Sequence, residues 1–320
     1  MTNQAKIIYM GTPDFAVPAL SLLFEAGYDI TYVVTQPDRP RGRGHKLAPS
    51  PVKSKALELG LKVLQPERIR GDDDFVAALR EASPDLIVVA AYGKILTKEV
   101  LDIPQLGCVN IHASLLPKYR GAAPVHRAIE AGEEETGVTL MYMSEGLDEG
   151  DMIASSSISV GAMNSGQVTD RLAQAGAELL ISRMDLILSG RAHRTPQDDA
   201  SSTYARPVSK DEGHIDFSDS ARAVVRKVRA MTPQPGAFAY LGGEKVRIIE
   251  AECAGSNEET KTDAGMDDAP GTIENGETDG VLVSTGKGLV VFKTIQMPGK
   301  KPVKVKDYLR GNSFGAKRFE

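Results

Sequence analysis

Residues 6–35 have the sequence KIIYMGTPDFAVPALSLLFEAGYDITYVVT. The β-branched run at 6–10 predicts a strand, and the amphipathic stretch at 15–26 predicts a helix. A second β-branched run at 30–35 predicts another strand. A strand, a helix and a strand in this order form the repeating unit of a parallel sheet, so this stretch indicates an α/β fold.

The same alternation continues to about residue 190 and then stops. Helices are predicted at 72–82, 124–131 and 167–190, and strands at 85–91, 107–112 and 136–143. We therefore predict a doubly wound, mostly parallel sheet covered on both faces, with reactive groups in loops at the carboxyl ends of the strands. Further on, a helix at 221–231 and short strands at 238–241, 245–250, 280–284 and 288–295 predict a small β-barrel or sandwich.

The change of pattern also predicts the domain organisation. Residues 190–208 are polar and contain Gly190, Pro196 and a patch of Ser and Asp, which is typical of a linker. We predict an α/β domain at 1–189, a linker at 190–208 and a C-terminal β-barrel domain at 209–320.

Composition excludes disordered, fibrous and membrane-spanning proteins. Hydrophobic residues make up 41% of the 320 residues and charged residues 25%, as in ordinary soluble proteins. The longest apolar run, 86–92, is far shorter than the roughly 20 residues that span a bilayer, and no signal peptide is visible before the first strand. Two cysteines are too few for a disulfide framework or a four-ligand zinc site and fit a reducing cytosol. The net charge of −5 argues, as an average, against a nucleic-acid partner.

The first predicted strand ends in the turn Met10-Gly-Thr-Pro-Asp14. A dinucleotide-binding fold would have G-x-G-x-x-G here, but only Gly11 is present, which argues against a dehydrogenase. The turn either faces a ligand or is simply a tight turn with a proline near the helix start.

A later strand end carries residues suited to acyl-group chemistry. Residues 108–121 are CVNIHASLLPKYRG, and Asn110 and His112, two positions apart, project from the same face of a strand. An amide beside an imidazole can polarise a carbonyl and stabilise the oxyanion that forms when it is attacked. A lone histidine is more often structural, but the Ser-Leu-Leu-Pro turn and the Arg-Gly pair that follow make this pattern too specific for that interpretation.

A carboxylate partner is expected from residues 145–151, EGLDEGD, which follow the predicted strand 136–143. Four acids in seven residues could also be a solvated turn or a magnesium-binding loop. An aspartate near His112 would fix the tautomer of the imidazole and favour the imidazolium.

Together these motifs resemble the 10-formyltetrahydrofolate-dependent formyltransferases. The shared motifs are Asn110-x-His112, Ser114-Leu-Leu-Pro117, Arg120-Gly121 and Gly146-Leu-Asp148-x-Gly-Asp151. The resemblance implies a Rossmann-like formyltransferase fold followed by an OB-like barrel. It also implies a catalytic set of Asn110, His112 and Asp148, because Asp148, unlike Asp151, follows Gly-Leu. The folate-binding residues that it implies are Ala90, Ala91, Tyr92, Gly93, Ser114, Leu115, Leu116 and Pro117.

The loop at 35–47, TQPDRPRGRGHKL, indicates which acceptor is used. It resembles the loop that family members acting on methionyl-tRNA insert against the acceptor stem, with Arg43 at the key basic position. Arg41 is a departure, since relatives tolerate smaller residues there. A sugar-nucleotide formyltransferase would need neither this loop nor a basic tail, and a nonenzymatic RNA-binding protein would not need the catalytic set.

Charge is segregated along the chain, which supports an RNA partner independently of the resemblance. Residues 292–320 carry eight basic residues against two acids, whereas residues 250–280 carry ten acids against one lysine. A solvated surface explains any single basic run. Three basic elements together indicate phosphate contacts: the loop 35–47, the tail 292–320, and the predicted helix 221–231, in which Arg222, Arg226 and Arg229 lie at helical spacing opposite Val224, Val228 and Met231. The acidic segment 257–270 is predicted as a solvated loop. The predicted tRNA-binding residues are Arg41, Arg43, Lys46, Arg222, Arg226, Arg229, Lys304 and Lys306.

The resemblance implies a one-carbon transferase of translation initiation. Its formyl donor would be 10-formyltetrahydrofolate and its acceptor the initiator methionyl-tRNA. We expect no metal, because the five histidines show no ligand spacing. We also expect a monomer in the bacterial cytoplasm with no membrane partner.

Overall fold

The structure, a computed structural model, describes residues 3–41, 46–255, 269–274, 279–315 and 318–320. The chain divides into two compact units. The first consists of residues 1–124, 135–159 and 169–205, and the second of residues 125–134, 160–168 and 206–320. The boundaries predicted at 189 and 209 stay a prediction.

Residues 3–188 contain the alternating elements of the α/β fold. In chain order they are β1 (Asn3–Gly11), α1 (Val17–Glu25), β2 (Tyr28–Val34), β3 (Arg39–Arg41), β4 (Lys46–Ala48), α2 (Pro51–Glu58), β5 (Val63–Leu64), α3 (Asp73–Ala82), β6 (Leu86–Ala90), α4 (Lys98–Leu101), β7 (Cys108–His112), α5 (Pro124–Ala131), β8 (Glu135–Tyr142), β9 (Met152–Ser159) and α6 (Ser165–Leu188).

The main sheet of the first unit has the strand order β5-β2-β1-β6-β7-β8-β9. The pairs from β5 to β7 are parallel, and the pairs that β8 makes with β7 and β9 are antiparallel. The predicted doubly wound, mostly parallel sheet is therefore confirmed. Strand order reverses beside β1, between β2 and β6, and ligands of such sheets bind at the carboxyl ends of the strands at this point.

The centre of the sheet is buried on both faces. Every residue of β6 and of β7 is buried, as expected for strands covered by helices on both sides. The apolar face of α3 packs Phe75 and Leu79 into the same core cluster as Ile87 of β6. Burial of this kind fixes the ends of β6 and β7, where the predicted site residues lie.

The second unit contains an antiparallel sheet. Residues 221–308 form α7 (Ala221–Met231), β10 (Ala237–Leu241), β11 (Glu244–Cys253), β12 (Ile273–Glu274), β13 (Val281–Ser284), β14 (Leu289–Gln296), β15 (Val303–Lys304) and α8 (Val305–Tyr308). The strand order is β10-β11-β14-β13-β12, and β15 pairs with β14.

Two bridges join the margins of this sheet. Phe319 pairs with Leu241 at the end of β10, and Arg318 pairs with Thr272 just before β12. The main-chain groups of Glu320 and Tyr240 also exchange two hydrogen bonds, of 2.7 and 2.8 Å. The sheet therefore curls into a barrel-like form, as the sequence predicts.

The helix α7 covers the core of this unit with the face that its spacing predicts. Val224, Val228 and Met231 are at most 2% exposed and belong to the same cluster as the strands β10 to β14. Phe319 is 1% exposed, and its ring lies 5.5 Å from that of Phe292. The bridging residue Phe319 is thus part of the core.

A group of ion pairs stabilises the second unit. Glu212 contacts the guanidinium groups of Arg127, at 2.9 Å, and Arg206, at 2.8 Å. Arg127 also pairs with Glu130 at 2.8 Å, and Glu130 in turn pairs with Lys227. Because four of these side chains are at most 26% exposed, the pairs are screened less than ordinary surface pairs.

We expect acid to destabilise this unit through Glu212. The hydrogen bond from Arg127 lowers the pKa of Glu212 from 4.5 to about 2. A carboxyl group with a lowered folded-state pKa contributes stability above its unfolded pKa, and this contribution is lost as the pH falls from about 4.5 to 2. Glu212→Gln should lower the Tm at pH 7 by about 2–4 °C.

The measurement is the Tm of wild type and Glu212→Gln from pH 7 to pH 3. The gap between them should shrink as the pH falls through this window. Glu58→Gln is the matched control, because the Glu58 side chain is 65% exposed. An undiminished gap at pH 3 would contradict the role of Glu212.

Candidate active site

Asn110 and His112 lie at the carboxyl end of β7, between β6 and β8. Their spacing of two places them on one face of the sheet. They are 9% and 6% exposed, so water is largely excluded from both. The side-chain amide of Asn110 makes no hydrogen bond to any part of the chain that the structure describes. It is therefore free to donate to a bound substrate.

The imidazole of His112 faces an acceptor at each ring nitrogen. Its Nε2 lies 3.0 Å from the carbonyl oxygen of Tyr119, and its Nδ1 lies 3.6 Å from Oδ2 of Asp148. Carbonyl and carboxylate oxygens only accept, and a neutral imidazole has a single N–H. Nε2 therefore carries an N–H, which it donates to the carbonyl of Tyr119, while Nδ1 faces the carboxylate of Asp148.

Asp148 lies in the loop between β8 and β9 and is 17% exposed. Its Oδ2 accepts a hydrogen bond of 2.9 Å from the backbone N–H of Gly121. The backbone of Asp148 has a φ of 52°, which is unusual for a residue other than glycine. Asp151 contributes its backbone oxygen to Tyr142 at the base of the same loop. Asp148 is therefore the carboxylate that faces His112.

The first predicted folate segment follows β6 at the point where the strand order reverses. Ala91 and Gly93 are exposed, whereas Tyr92 is only 2% exposed. The carbonyl oxygen of Tyr92 accepts from Thr12 at 2.9 Å and from Gln36 at 3.1 Å. This segment is thus held from the ends of β1 and β2, while the residues Ala91 and Gly93 are exposed to solvent.

The second predicted folate segment follows β7. Ser114 is completely buried, and its Oγ donates to the carbonyl of Lys118 at 2.7 Å. Thr139 of β8 donates to the carbonyl of Ser114 at 2.7 Å and accepts from the N–H of Leu116 at 3.1 Å. Both predicted folate segments therefore lie at the same edge of the sheet and have fixed backbones.

The predicted tRNA-binding residues, unlike the predicted folate segments, do not lie together at one edge of the sheet and differ in their contacts. Arg41 and Lys46 pair through their backbones in the β3–β4 hairpin, but Arg43 lies outside the described residues, as do residues 257–268 of the predicted acidic loop. Arg226 and Arg229 donate to backbone carbonyls of their own unit, so their guanidinium groups are partly engaged. Of the remaining predicted tRNA-binding residues, Arg222, Lys304 and Lys306 are exposed.

The base of the β3–β4 hairpin is anchored by Asp38. Lys53 donates to both carboxylate oxygens of Asp38, at 2.9 and 2.7 Å, and Gln65 donates at 2.8 Å. The Lys53 hydrogen bonds hold the pKa of Asp38 below its ordinary value. Asp38 is therefore charged at neutral pH. Its bonds to Lys53 and Gln65 hold in place the residue that directly precedes β3 of the hairpin.

The described residues contain no group of three or more His, Cys, Asp or Glu that could hold a metal ion. Burial raises the pKa of Cys108 to about 12, so this thiol is not a nucleophile at neutral pH. No helix within the described ranges is long and apolar enough to cross a bilayer.

This fold and this site define a class of enzyme. Residues 5–184 match the family described as formyl transferase, and residues 207–313 match formyl transferase, C-terminal domain. The chain belongs to the formyl transferase family. It is similar to the methionyl-tRNA formyltransferase of Ruminiclostridium cellulolyticum, with 44% identity over 310 residues, and to that of Moorella thermoacetica, with 45% identity over 307 residues; each comparison covers 96% of this chain and 96% of the relative.

Solved structures share the fold at lower identity. One is the N-formyltransferase from Helicobacter canadensis in complex with folinic acid and dTDP-3-aminofucose, with a TM-score of 0.67, 18% identity, and coverage of 92% of this chain and 100% of that chain. Another is HypX from Aquifex aeolicus in complex with tetrahydrofolic acid, with a TM-score of 0.62, 20% identity, and coverage of 97% and 47%. These likenesses show the fold alone.

Proposed function

We propose that this protein transfers the formyl group of 10-formyltetrahydrofolate to the amino group of initiator methionyl-tRNA, giving formylmethionyl-tRNA for translation initiation. The observation that carries the chemistry is the free Asn110 amide beside a His112 that is paired with Asp148. The acceptor is supported by the names of relatives that match almost the whole chain. We propose that the protein acts as a monomer in the cytoplasm.

The reaction is an attack of the amino group on the formyl carbon. The tetrahedral intermediate carries an oxyanion, which Asn110 stabilises by donating a hydrogen bond from its free amide. The ring of His112, held by Tyr119 and Asp148, lies in the same site with little water, where electrostatic stabilisation is strong. Asp148 orients His112 and takes up the proton that the attacking amine loses. When the intermediate collapses, the bond from the formyl carbon to N10 of the folate breaks, and N10 receives that proton.

The proposed folate site consists of residues 90–93 and 114–117. Both segments lie at the carboxyl ends of neighbouring strands and flank Asn110. Ala91 and Gly93 are exposed, so a flat, polar ring such as a pterin can approach the main chain of this segment. Tetrahydrofolate leaves from this site after the formyl carbon has passed to the amine.

The test is a transfer assay with purified protein and formyl-labelled 10-formyltetrahydrofolate. Charged initiator tRNA and an amino sugar nucleotide are offered separately as acceptors. We expect label on methionyl-tRNA only. Label on the sugar nucleotide alone would show that the acceptor is wrong, and label on neither would show that the protein is not a transferase of this kind.

Arg43→Ala is expected to weaken the use of methionyl-tRNA without affecting folate. Loss of a charged hydrogen bond to RNA costs about 1.5–3 kcal/mol, which is about a 10- to 150-fold loss of kcat/KM for tRNA. The flanking Gly42 and Gly44 would let this arginine approach a phosphate or an unstacked base closely.

The measurement compares kcat/KM for tRNA with the Kd for the folate donor in the same variant. Arg183→Ala is the control, since Arg183 is an exposed residue of α6. Equal losses for both substrates, or no loss for either, would show that the loop does not contact the tRNA.

A further inference from the structure

Residues 195–205, which we call the strap, run along the loops of the site. The backbone of Thr195 pairs with that of Met152, at the start of β9. At the other end, the carbonyl of Thr203 accepts from the N–H of Arg120 at 2.8 Å, and the N–H of Ala205 donates to the carbonyl of Arg120 at 2.6 Å. The strap is therefore tied to the two segments that lead to Asp148 and to Gly121.

Gln197, inside the strap, binds the loop that carries Asp148. Its Nε2 donates to the carbonyl oxygen of Asp148 at 2.9 Å and to that of Gly150 at 2.8 Å. Both N–H groups of one amide are thereby used on two carbonyls of a single loop. The side chain of Gln197 is half-buried, so little water competes for these two hydrogen bonds.

Arg120 binds the oxygen of the same amide group. Its Nε donates to Oε1 of Gln197 at 2.9 Å, and its terminal nitrogen pairs with Asp199 at 2.8 Å. The side chain of Arg120 is 12% exposed. Arg120 thus holds the amide of Gln197 with its oxygen toward the guanidinium, and hence directs the amide N–H groups to the carbonyls of Asp148 and Gly150.

The neighbours of Arg120 contact the catalytic pair directly. The carbonyl of Tyr119 accepts from His112, and the N–H of Gly121 donates to the carboxylate of Asp148. A residue with a positive φ, such as Asp148 at 52°, keeps that conformation only when surrounding contacts hold it. Gln197 and Gly121 supply such contacts, one to the backbone and one to the side chain.

We infer that Gln197, oriented by Arg120, is a positioning residue that holds the carboxylate of Asp148 against His112. This inference rests on the proposed function, because it assumes that Asp148 takes part in the transfer. Both amide N–H groups of Gln197 are used on the Asp148 loop. Its effect reaches the reaction only through the Asp148 loop, and a displacement of about 1 Å in a catalytic group can cost about 100-fold in rate.

Gln197→Glu is the sharpest test, since the side chain keeps its size and can still accept from Arg120. A carboxylate has no N–H, so both bonds to the Asp148 loop are lost and two carbonyls face a negative charge. We expect kcat for formyl transfer to fall about 10- to 100-fold while the KM for each substrate stays within about twofold. Gln105→Glu is the matched control, because Gln105 is exposed and distant in sequence from the strap.

The second readout is hydrogen exchange of the Gly121 amide in the full chain without substrate. We expect exchange to speed up about tenfold or more in Gln197→Glu and not in Gln105→Glu. Because no acceptor is present, this readout is independent of the proposed reaction, and wild-type activity on methionyl-tRNA tests that reaction separately. Unchanged kcat in Gln197→Glu, or unchanged exchange at Gly121, would overturn the inference.

Arg120→Lys provides a test that does not depend on the folding of Gln197→Glu. Lysine keeps the charge near Asp199 but cannot reproduce the planar donor geometry that Arg120 offers to Gln197. We expect a smaller loss of kcat, about three- to tenfold, with faster Gly121 exchange. Wild-type kcat and exchange in Arg120→Lys would equally overturn the inference.

Discussion

Asn110→Ala is expected to lower kcat about 10²- to 10³-fold and to leave the KM for folate and for methionyl-tRNA nearly unchanged. This is the usual cost of removing one donor from an oxyanion site. Asn110 is 9% exposed and its amide is unengaged in the described structure, so its removal breaks no internal hydrogen bond. The loss should therefore be confined to the transition state.

The measurement is steady-state kinetics with both substrates varied, together with the Tm. Asn110→Asp should be impaired at least as strongly, because a carboxylate repels the oxyanion. Asn312→Ala is the control, since Asn312 is exposed. A variant at position 110 that raised KM but kept kcat would show that Asn110 binds the ground state and does not stabilise the oxyanion.

Asp148→Asn is expected to lower kcat about 10²- to 10⁴-fold, the range associated with loss of acid–base assistance. The amide oxygen of asparagine can still accept from the N–H of Gly121, so the loop should fold as before. What disappears is the negative charge 3.6 Å from Nδ1 of His112. Without it, the ring of His112 has no charged partner, and the proton of the amine has no carboxylate to receive it.

The matched control is Asp151→Asn in the same loop. Asp151 bonds to Tyr142 through its backbone oxygen, which the substitution leaves in place. We expect near-wild-type kcat for Asp151→Asn. Near-full activity of Asp148→Asn combined with an inactive Asp151→Asn would transfer the carboxylate role to Asp151.

The helices were predictable where their apolar spacing is clear. The helices α5 and α7 run over the residues that the sequence predicts, 124–131 and 221–231. β9, in contrast, has the sequence MIASSSIS, lies at the edge of the sheet and is half-buried or exposed throughout. A serine-rich edge strand carries little hydrophobic signal, so the sequence did not predict it.

The site was predictable only where residue spacing or loop position carries the signal. A spacing of two places Asn110 and His112 on one face, and a strand end places Asp148 nearby. Backbone groups such as the Tyr119 carbonyl and the Gly121 N–H have no residue-type signature. Gln197 lies 49 residues from Asp148, in a polar segment whose composition is typical of a linker, so its contacts depend on tertiary structure.

Spacing also says little about what a charged side chain binds. Arg226 and Arg229 have the periodicity of a solvent-facing helix surface, from which we predicted phosphate contacts. Both instead donate to backbone carbonyls within their unit, and burial lowers the pKa of Arg229. These contacts are non-local, and the sequence contains no signal for them. Their role in tRNA binding stays a prediction.

The bridges made by Arg318 and Phe319 have a consequence for solubility. A strand at the margin of a sheet normally offers unpaired N–H and C=O groups, which can recruit a strand from another molecule and start aggregation. Here the backbone of Tyr240 is paired with Glu320, and that of Gly271 with Phe319. Because Phe319 is also anchored in the core, the cover over these margins is held in place, and the second unit is protected against edge-to-edge association with its own copies.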